Sequence, residues 1–397
     1  MIYLDSAATA PLLPEVRAAM HHAIDEFYGN ASALHTPGHL AKTTIEAARE
    51  KLAALIHADP SEIIFTSGST ESNNTVINSF RDQTIATSTI EHESIINATR
   101  TLASDFIPLE VDKNGEVCYN ENIWSKRPAL ISITLASNEL GTIEPLEFWS
   151  KKAHSHGALI HSDMTQALGK IPIDIKKLGV DYATFSAHKI GGPIGVGALY
   201  VKKGSPFTPL MIGGSQERHR RSGTYNTLGI IGFQAALDYL ELHDTPTLYA
   251  TQVAPLRDYL ATRIKNDMEG SVLNTPLAHF GGCCRELAPE PREDGSEGRG
   301  DKGVSRTLPN ILNVSFSGAE GESIQLHLDL KGIVVSTGSA CAAGEPSHVL
   351  TAATGDPELA HSSIRFSLDL STTRADIDYT MSVLPDIIEK LKGISTL

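Results

Sequence analysis

The stretch FSAHKIGGPIGVGALY, residues 185–200, decides how the rest of the chain is read. An apolar run ends at Ser186, a lysine follows at 189, and a glycine-rich turn leads into a second apolar run. The pattern predicts strand, turn, strand, with Lys189 just past the first strand's end. Further short apolar runs, EIIFTSG, TIATSTIEH, ALISITLASNE and ALIHSD, also read as buried strands. Helical patterns lie between several of them. The segment 39–57 places Ile45, Ala48, Leu52 and Leu55 on one face. Such alternation predicts α/β layers around a mostly parallel sheet.

Beyond the helix in NTLGIIGFQAALDYLEL the texture changes. The runs PNILNVSF, GIVVSTGSA and SIRFSL, with a closing helix near 373–392, predict a smaller α+β domain. The boundary is expected near residue 255, within a long connecting helix. The segment 283–306, CCRELAPEPREDGSEGRGDKGVSR, is too rich in charge, glycine and proline to bury much apolar surface, and predicts a flexible surface insertion with Cys283 and Cys284 at its base.

With 397 residues, the chain exceeds what one core usually serves. Its 33 basic against 47 acidic residues give a net charge of −14. That argues against a nucleic-acid backbone as the main partner, because no basic excess is available to displace counterions. No apolar run reaches the ~18–20 residues of a membrane span. The N-terminus shows no basic-then-apolar leader, and the four cysteines show no CxxC pair, so a cytoplasmic protein without a disulfide framework or zinc site is expected.

Polar residues gather where the predicted strands end, the place where open α/β sheets bind ligands. In FTSGSTESNN, 65–74, a strand gives way to Ser69 and Thr70 at a helix start, which suits an anion; a plain N-cap turn reads the same way. Asp163, in HSDMTQALGK, ends another strand, as an N-cap or as the partner of a protonated heteroatom. Lys189, with Ser186 and His188 just ahead of it, suits a Schiff base with a carbonyl. Each feature alone has an ordinary structural reading. Together they are the lysine, the acid and the phosphate cup that pyridoxal phosphate (PLP) chemistry requires.

Cys341 stands in STGSACAAGEP, 336–346, among small and hydroxyl residues. That setting leaves a thiol accessible, as sulfur chemistry needs, although a lone cysteine is more often packing.

Taken end to end, the chain resembles the cysteine desulfurases of the NifS/IscS type, in the class V aminotransferase group of fold-type I PLP enzymes. The resemblance is carried by YLDSAATAP (3–11), GNASALHTPG (29–38), FTSGSTESNN, EHESI (91–95), SNELGTIEP (137–145), HSDMTQALGK, SAHKIGGPIGVGALY, GGSQERHRRSGTYN (213–226), LPNILNVSF (308–316), STGSAC and HSSIRFSL (361–368). It implies a large PLP-binding domain, residues 15–255, built on a mostly parallel seven-stranded sheet. It also implies a small α+β domain from residues 1–14 and 256–397 carrying the catalytic cysteine.

The same resemblance assigns roles. Lys189 would bind PLP covalently, Asp163 would pair with its ring nitrogen, Gln166 with its ring hydroxyl, and His92 would stack on the ring and handle protons. Ser69, Thr70, Ser186 and His188 would hold the phosphate, joined by Thr224 from a second copy, so a homodimer is implied. Asn138 and Arg365 would hold the substrate carboxylate, and Cys341 would take the sulfur of L-cysteine as a persulfide, leaving L-alanine. An iron–sulfur scaffold or another sulfur carrier would then receive it, for cluster assembly or for tRNA or cofactor thiolation. No resident metal is expected; Cys341 alone would touch a transient cluster. Ser6, Ala10 and Ser137 depart from the usual motifs, and the loop after Cys341 is shorter than usual. Selenocysteine lyase, cysteine sulfinate desulfinase and a non-catalytic sulfur-relay scaffold stay open as alternatives.

Overall fold

The computed structural model describes residues 1–277, 307–338 and 346–395. The expected insertion at 283–306, Cys283, Cys284, Cys341 and the loop that follows it lie outside them.

The chain opens on a short strand, β1 (Ile2–Tyr3). Seven strands follow: β2 (Ile63–Thr66), β3 (Thr84–Ser88), β4 (Asp105–Leu109), β5 (Leu130–Ser132), β6 (Leu159–Asp163), β7 (Tyr182–Ser186) and β8 (Gly197–Val201). They form one sheet in the order β2-β8-β7-β6-β5-β3-β4. It is parallel from β7 through β4, and β8 runs antiparallel to both its neighbours. The stretch that opened the sequence reading is the β7–β8 connection. Its glycines at 191 and 195 have φ of +75° and +85°, values that side chains resist.

Strand β4 escaped the sequence reading. Its segment DFIPL contains Pro108, which suits only an edge strand because it has no N–H for a second neighbour, and β4 is indeed the sheet's edge.

Alternate residues along each strand face opposite sides. Ile63, Phe65, Ala86, Ile131 and Ala183 join the core under helices Thr36–Leu55, Leu146–Ser155 and Thr227–Leu242. Ile64, Ile85, Leu130, Tyr182 and Leu199 join the core under helices Ser69–Ser79 and Glu93–Leu102. With helices on both faces, the central strands read as continuous apolar runs, as the sequence showed.

A second core lies apart from these. Strands β9 (Ser271–Leu273), β10 (Ile311–Phe316) and β12 (Ser363–Ser367) make an antiparallel sheet in the order β12-β10-β9, while β11 (Ile333–Val334) pairs with β1. Helices Ala254–Asp267, Gly321–Asp329 and Arg374–Ser395 cover them. Helical turns run from Thr245 through Asp267, across the expected boundary near residue 255, after the preceding helix has ended at Leu242 and Asp244 has taken φ +44°.

One glycine fixes how closely the sheet approaches the start of helix Ser69–Ser79. A Cβ on Gly197 of β8 would lie 2.6 Å from the Phe185 carbonyl oxygen and 2.7 Å from Gly68 Cα. Both neighbours are backbone and cannot swing aside. Gly197→Ala is expected to cost about 1–3 kcal/mol, typical of overpacking, seen as a lower urea midpoint with unchanged slope.

Candidate functional site

Asp163 ends β6, Ser186 ends β7, and helix Ser69–Ser79 begins just after β2. A cavity of about 260 Å³ opens beyond these strand ends. Lys189, His188, Asp163, Gln166, His92, Ser69, Thr70, Asn138 and Arg365 all line it. Ser186 does not line it but stands at its edge, its Oγ 4.0 Å from where a Cβ of Gly68 would be. Thr224 is exposed and lines a different cavity, beside Phe27, Tyr28 and Asn226.

Lys189 closes the short turn Ala187–Lys189 directly after β7. Its Nζ donates to the carbonyls of Ala7 at 2.7 Å and Ala8 at 2.6 Å. The Ala7 carbonyl also accepts from Gln166 Nε2 at 2.9 Å. Lys170, one turn further on and buried, donates to the Gln166 backbone carbonyl at 3.1 Å and faces its Oε1 at 3.5 Å, which fixes the amide's orientation. Burial, with the nearby charge of Lys189, pushes Lys170 down to about 7.

The Asp163 carboxylate is held by two donors, Asn73 Nδ2 at 2.8 Å on one oxygen and the Thr165 amide at 2.9 Å on the other. His92 caps helix Glu93–Leu102: its Nδ1 accepts from the Ser94 amide at 3.1 Å, which leaves the ring proton of the neutral form on Nε2. The surrounding protein pushes the His92 pKa down, with Asp163 opposing. His188 reaches Thr9 Oγ1 at 3.1 Å, and burial with the charges of Lys189 and Lys170 takes it to about 4.

Arg365, on β12 and buried, pairs with Asp5 at 2.8 Å and donates to the Asn138 carbonyl at 3.1 Å. Its Nε is buried without a partner.

These features fit PLP. Gly68, with φ +152°, turns the chain so that the first amides of helix Ser69–Ser79 are free to hold an anion, with His188 also at the cavity wall. A held acid, a lysine, and the buried, unpartnered hydroxyl of Thr165 face the same space. Among the described residues, no group of three or more His, Cys, Asp or Glu side chains is placed to hold a metal, and no helix is long and apolar enough to cross a membrane.

Four residues inside the quoted motifs carried no role in the sequence reading: Asn73, Glu91, Glu139 and Lys170. Their adjacency to the motif residues was the available signal; Asn73 and Glu139 find partners 90 and 208 residues away, at Asp163 and Ser347. Glu91 is buried beside His92, and its Oε1 accepts from Ser88 Oγ and the Thr134 amide, both at 2.6 Å. Its Oε2 has no partner. Desolvation, with a smaller push from Asp163, raises the carboxyl to about 8 despite those two hydrogen bonds.

The class-V aminotransferase family model matches residues 2–278 and 300–380. A protein described as cysteine desulfurase IscS, from Dictyoglomus turgidum, is 42% identical over 99% of this chain and 96% of its own. The crystal structure of a NifS-like protein from Rickettsia africae superposes with a TM-score of 0.84 at 31% identity, covering 98% of this chain and 99% of that one. SspA in complex with cysteine superposes with a TM-score of 0.74 at 29% identity, covering 94% and 100%.

Because Glu91 is protonated more readily folded than unfolded, its stabilising contribution is full below about 4.5 and is lost as pH rises through about 8. Glu91→Gln keeps an acceptor for Ser88 and Thr134. It is expected to flatten the fall in Tm between pH 5 and pH 9, measured by calorimetry on both proteins.

Proposed function

From the premise that this chain belongs to the class-V aminotransferase family and is a PLP-dependent cysteine desulfurase, we propose how its residues divide the work. Bound PLP supplies an electron sink that makes the substrate Cα proton acidic and the Cβ–S bond labile.

Lys189 would hold PLP covalently, and its Nζ would take and return the substrate Cα proton. Asp163, steadied by Asn73 and Thr165, faces the ring nitrogen, and Gln166 faces the ring hydroxyl. Ser69, Thr70, Ser186 and His188 hold the phosphate, with Thr224 supplied by a second copy. That role accords with Thr224 lying outside its own chain's cavity. Neutral His92 stacks on the ring and hands over protons at Nε2.

The substrate carboxylate sits between Asn138 and Arg365. The unpartnered Nε leaves one edge of the guanidinium fork for it, a geometry suited to carboxylates. Asp5 meanwhile balances the buried cation. The Cys341 thiolate attacks the substrate sulfur. An S–S bond forms as Cβ–S breaks, and Cβ keeps the electron pair and gains a proton. L-cysteine and Cys341–SH thus give L-alanine and Cys341–S–SH with no outside oxidant. The persulfide passes to an acceptor protein, an iron–sulfur scaffold or a sulfur carrier.

The separate cores support a PLP-binding domain over 15–255 and a second domain from 1–14 and 256–397. The observation that carries the site assignment is the convergence of Lys189, Asp163, His92 and Arg365 on one cavity.

The test follows alanine and sulfide from L-cysteine with a thiol reductant. Wild type is expected to release the two in equal amounts. Cys341→Ala is expected to lose both by about 100-fold while the visible absorbance of bound PLP persists. Equal rates in the two proteins would remove Cys341 as the sulfur carrier. Activity confined to selenocysteine or cysteine sulfinate would redirect the substrate assignment.

A further inference from the structure

Thr224 is exposed, and no hydrogen bond among the described residues takes up its hydroxyl. The chain around it is held firmly. Glu217 and Arg49 form a buried two-point ion pair, Nη1 to Oε2 at 2.7 Å and Nη2 to Oε1 at 2.8 Å. The Glu217 amide donates to the Tyr225 hydroxyl at 2.9 Å, and Ser222 Oγ donates to the Gly214 carbonyl at 2.8 Å. Glu217, Arg218 and His219 take left-handed φ of +48°, +57° and +66°. Such values cost a side-chain-bearing residue, and a run of three persists only where the surroundings impose it.

Arg221, three residues before Thr224, reaches the start of helix Ser69–Ser79. Its Nε donates to Glu71 Oε1 at 2.8 Å, and its Nη2 to Oε2 at 3.1 Å. Oε2 also accepts from the Ser67 amide at 2.8 Å. Burial works against the Glu71 charge, but the hydrogen bonds from Arg221 and Ser67 outweigh it and hold the carboxyl below its usual range. The pair is therefore ionised at neutral pH, and one carboxylate joins the turn 67–70 to the segment 221–224.

We propose that the Arg221–Glu71 ion pair positions Thr224. Arg221 fixes the segment that hands this hydroxyl to the cofactor phosphate of a second copy. Glu71 ties that segment to the turn that holds the phosphate in its own chain. This rests on the reading that Thr224 serves a second copy. Gly223, at φ +118°, adds little stiffness between Arg221 and Thr224, so the anchor has to supply it. Freed of the ion pair, the tip samples more conformations, and binding the phosphate must then order it.

Apoprotein stripped of cofactor is titrated with PLP, and the visible absorbance of PLP linked to Lys189 gives the dissociation constant. Thr224→Ala is expected to weaken binding about tenfold or more, the usual loss for a hydrogen bond to a charged group. Arg221→Ala is expected to weaken it about fivefold, and Arg221→Lys, which keeps the charge without the planar fork, by less. Glu71→Gln leaves an acceptor for the Ser67 amide and is expected to match Arg221→Ala. Adding Arg221→Ala to Thr224→Ala is expected to change the constant by less than about twofold, since one residue acts through the other. A general loss of structure would instead add to the Thr224 effect. In a mixed dimer, one copy carries Arg221→Ala with Lys189→Ala and the other is unaltered. The visible site then belongs to the unaltered copy, and its affinity is expected to fall as in Arg221→Ala. Arg221→Lys and Glu71→Gln carry the test should Arg221→Ala fail to fold.

Wild-type affinity in Arg221→Ala beside a weakened Thr224→Ala overturns the proposal. So does a full, additive loss in the double variant. Wild-type affinity in Thr224→Ala, or a mixed dimer whose unaltered copy binds normally, overturns the reading that Thr224 serves the second copy, whatever the Arg221 variants do.

Discussion

The N-terminal segment Asp5–Thr9 joins the two cores at the site. The Ala7 and Ala8 carbonyls receive Lys189 Nζ, and Ala7 also receives Gln166. Asp5 pairs with Arg365 across the cavity wall. Ser6 Oγ reaches the carbonyls of Ser367 and Leu368, and Ser367 Oγ accepts from the Ala7 amide. Thr9 meets His188. Five consecutive residues thus hold Lys189, just past the large sheet, against Arg365 of the small one. Breaking a buried ion pair by removing one partner typically costs about 3–5 kcal/mol, so the Asp5–Arg365 contact weighs heavily in this junction.

The site is dense in groups whose protonation the fold shifts. His92 and His188 are driven toward neutrality, Lys170 is pushed down and Glu91 pushed up. Desolvation is the leading cause in all four, so the cavity's low polarity, more than any one ion pair, sets its proton chemistry. Shifted groups concentrated in one cleft are what an acid–base site demands.

Much of this was legible in the chain. The buried strands announced themselves as apolar runs because helices cover both faces of the sheet. Lys189, Asp163 and Ser69 could be placed because each sits within a few residues of a strand or helix end. Pro108 hid β4, since a proline is tolerated there only by an edge that the sequence does not reveal. The strand Ser271–Leu273 is three residues long, too short to show alternation. Ser6 looked like an incidental departure from a motif, yet it is buried and bonded to residues some 360 positions away.

The sequence by itself determined the layer order, the family, and the residue types that PLP and a cysteine substrate require. These follow from local periodicity and from spacing within short motifs. Only the tertiary structure decided which groups share a cavity. Asp5 with Arg365, Asn73 with Asp163 and Glu139 with Ser347 are separated by 360, 90 and 208 residues. Contacts over such distances leave no periodic trace. They arise when packing of the sheets brings strand ends and loops together, and hydrogen bonding then selects among the polar groups that arrive there.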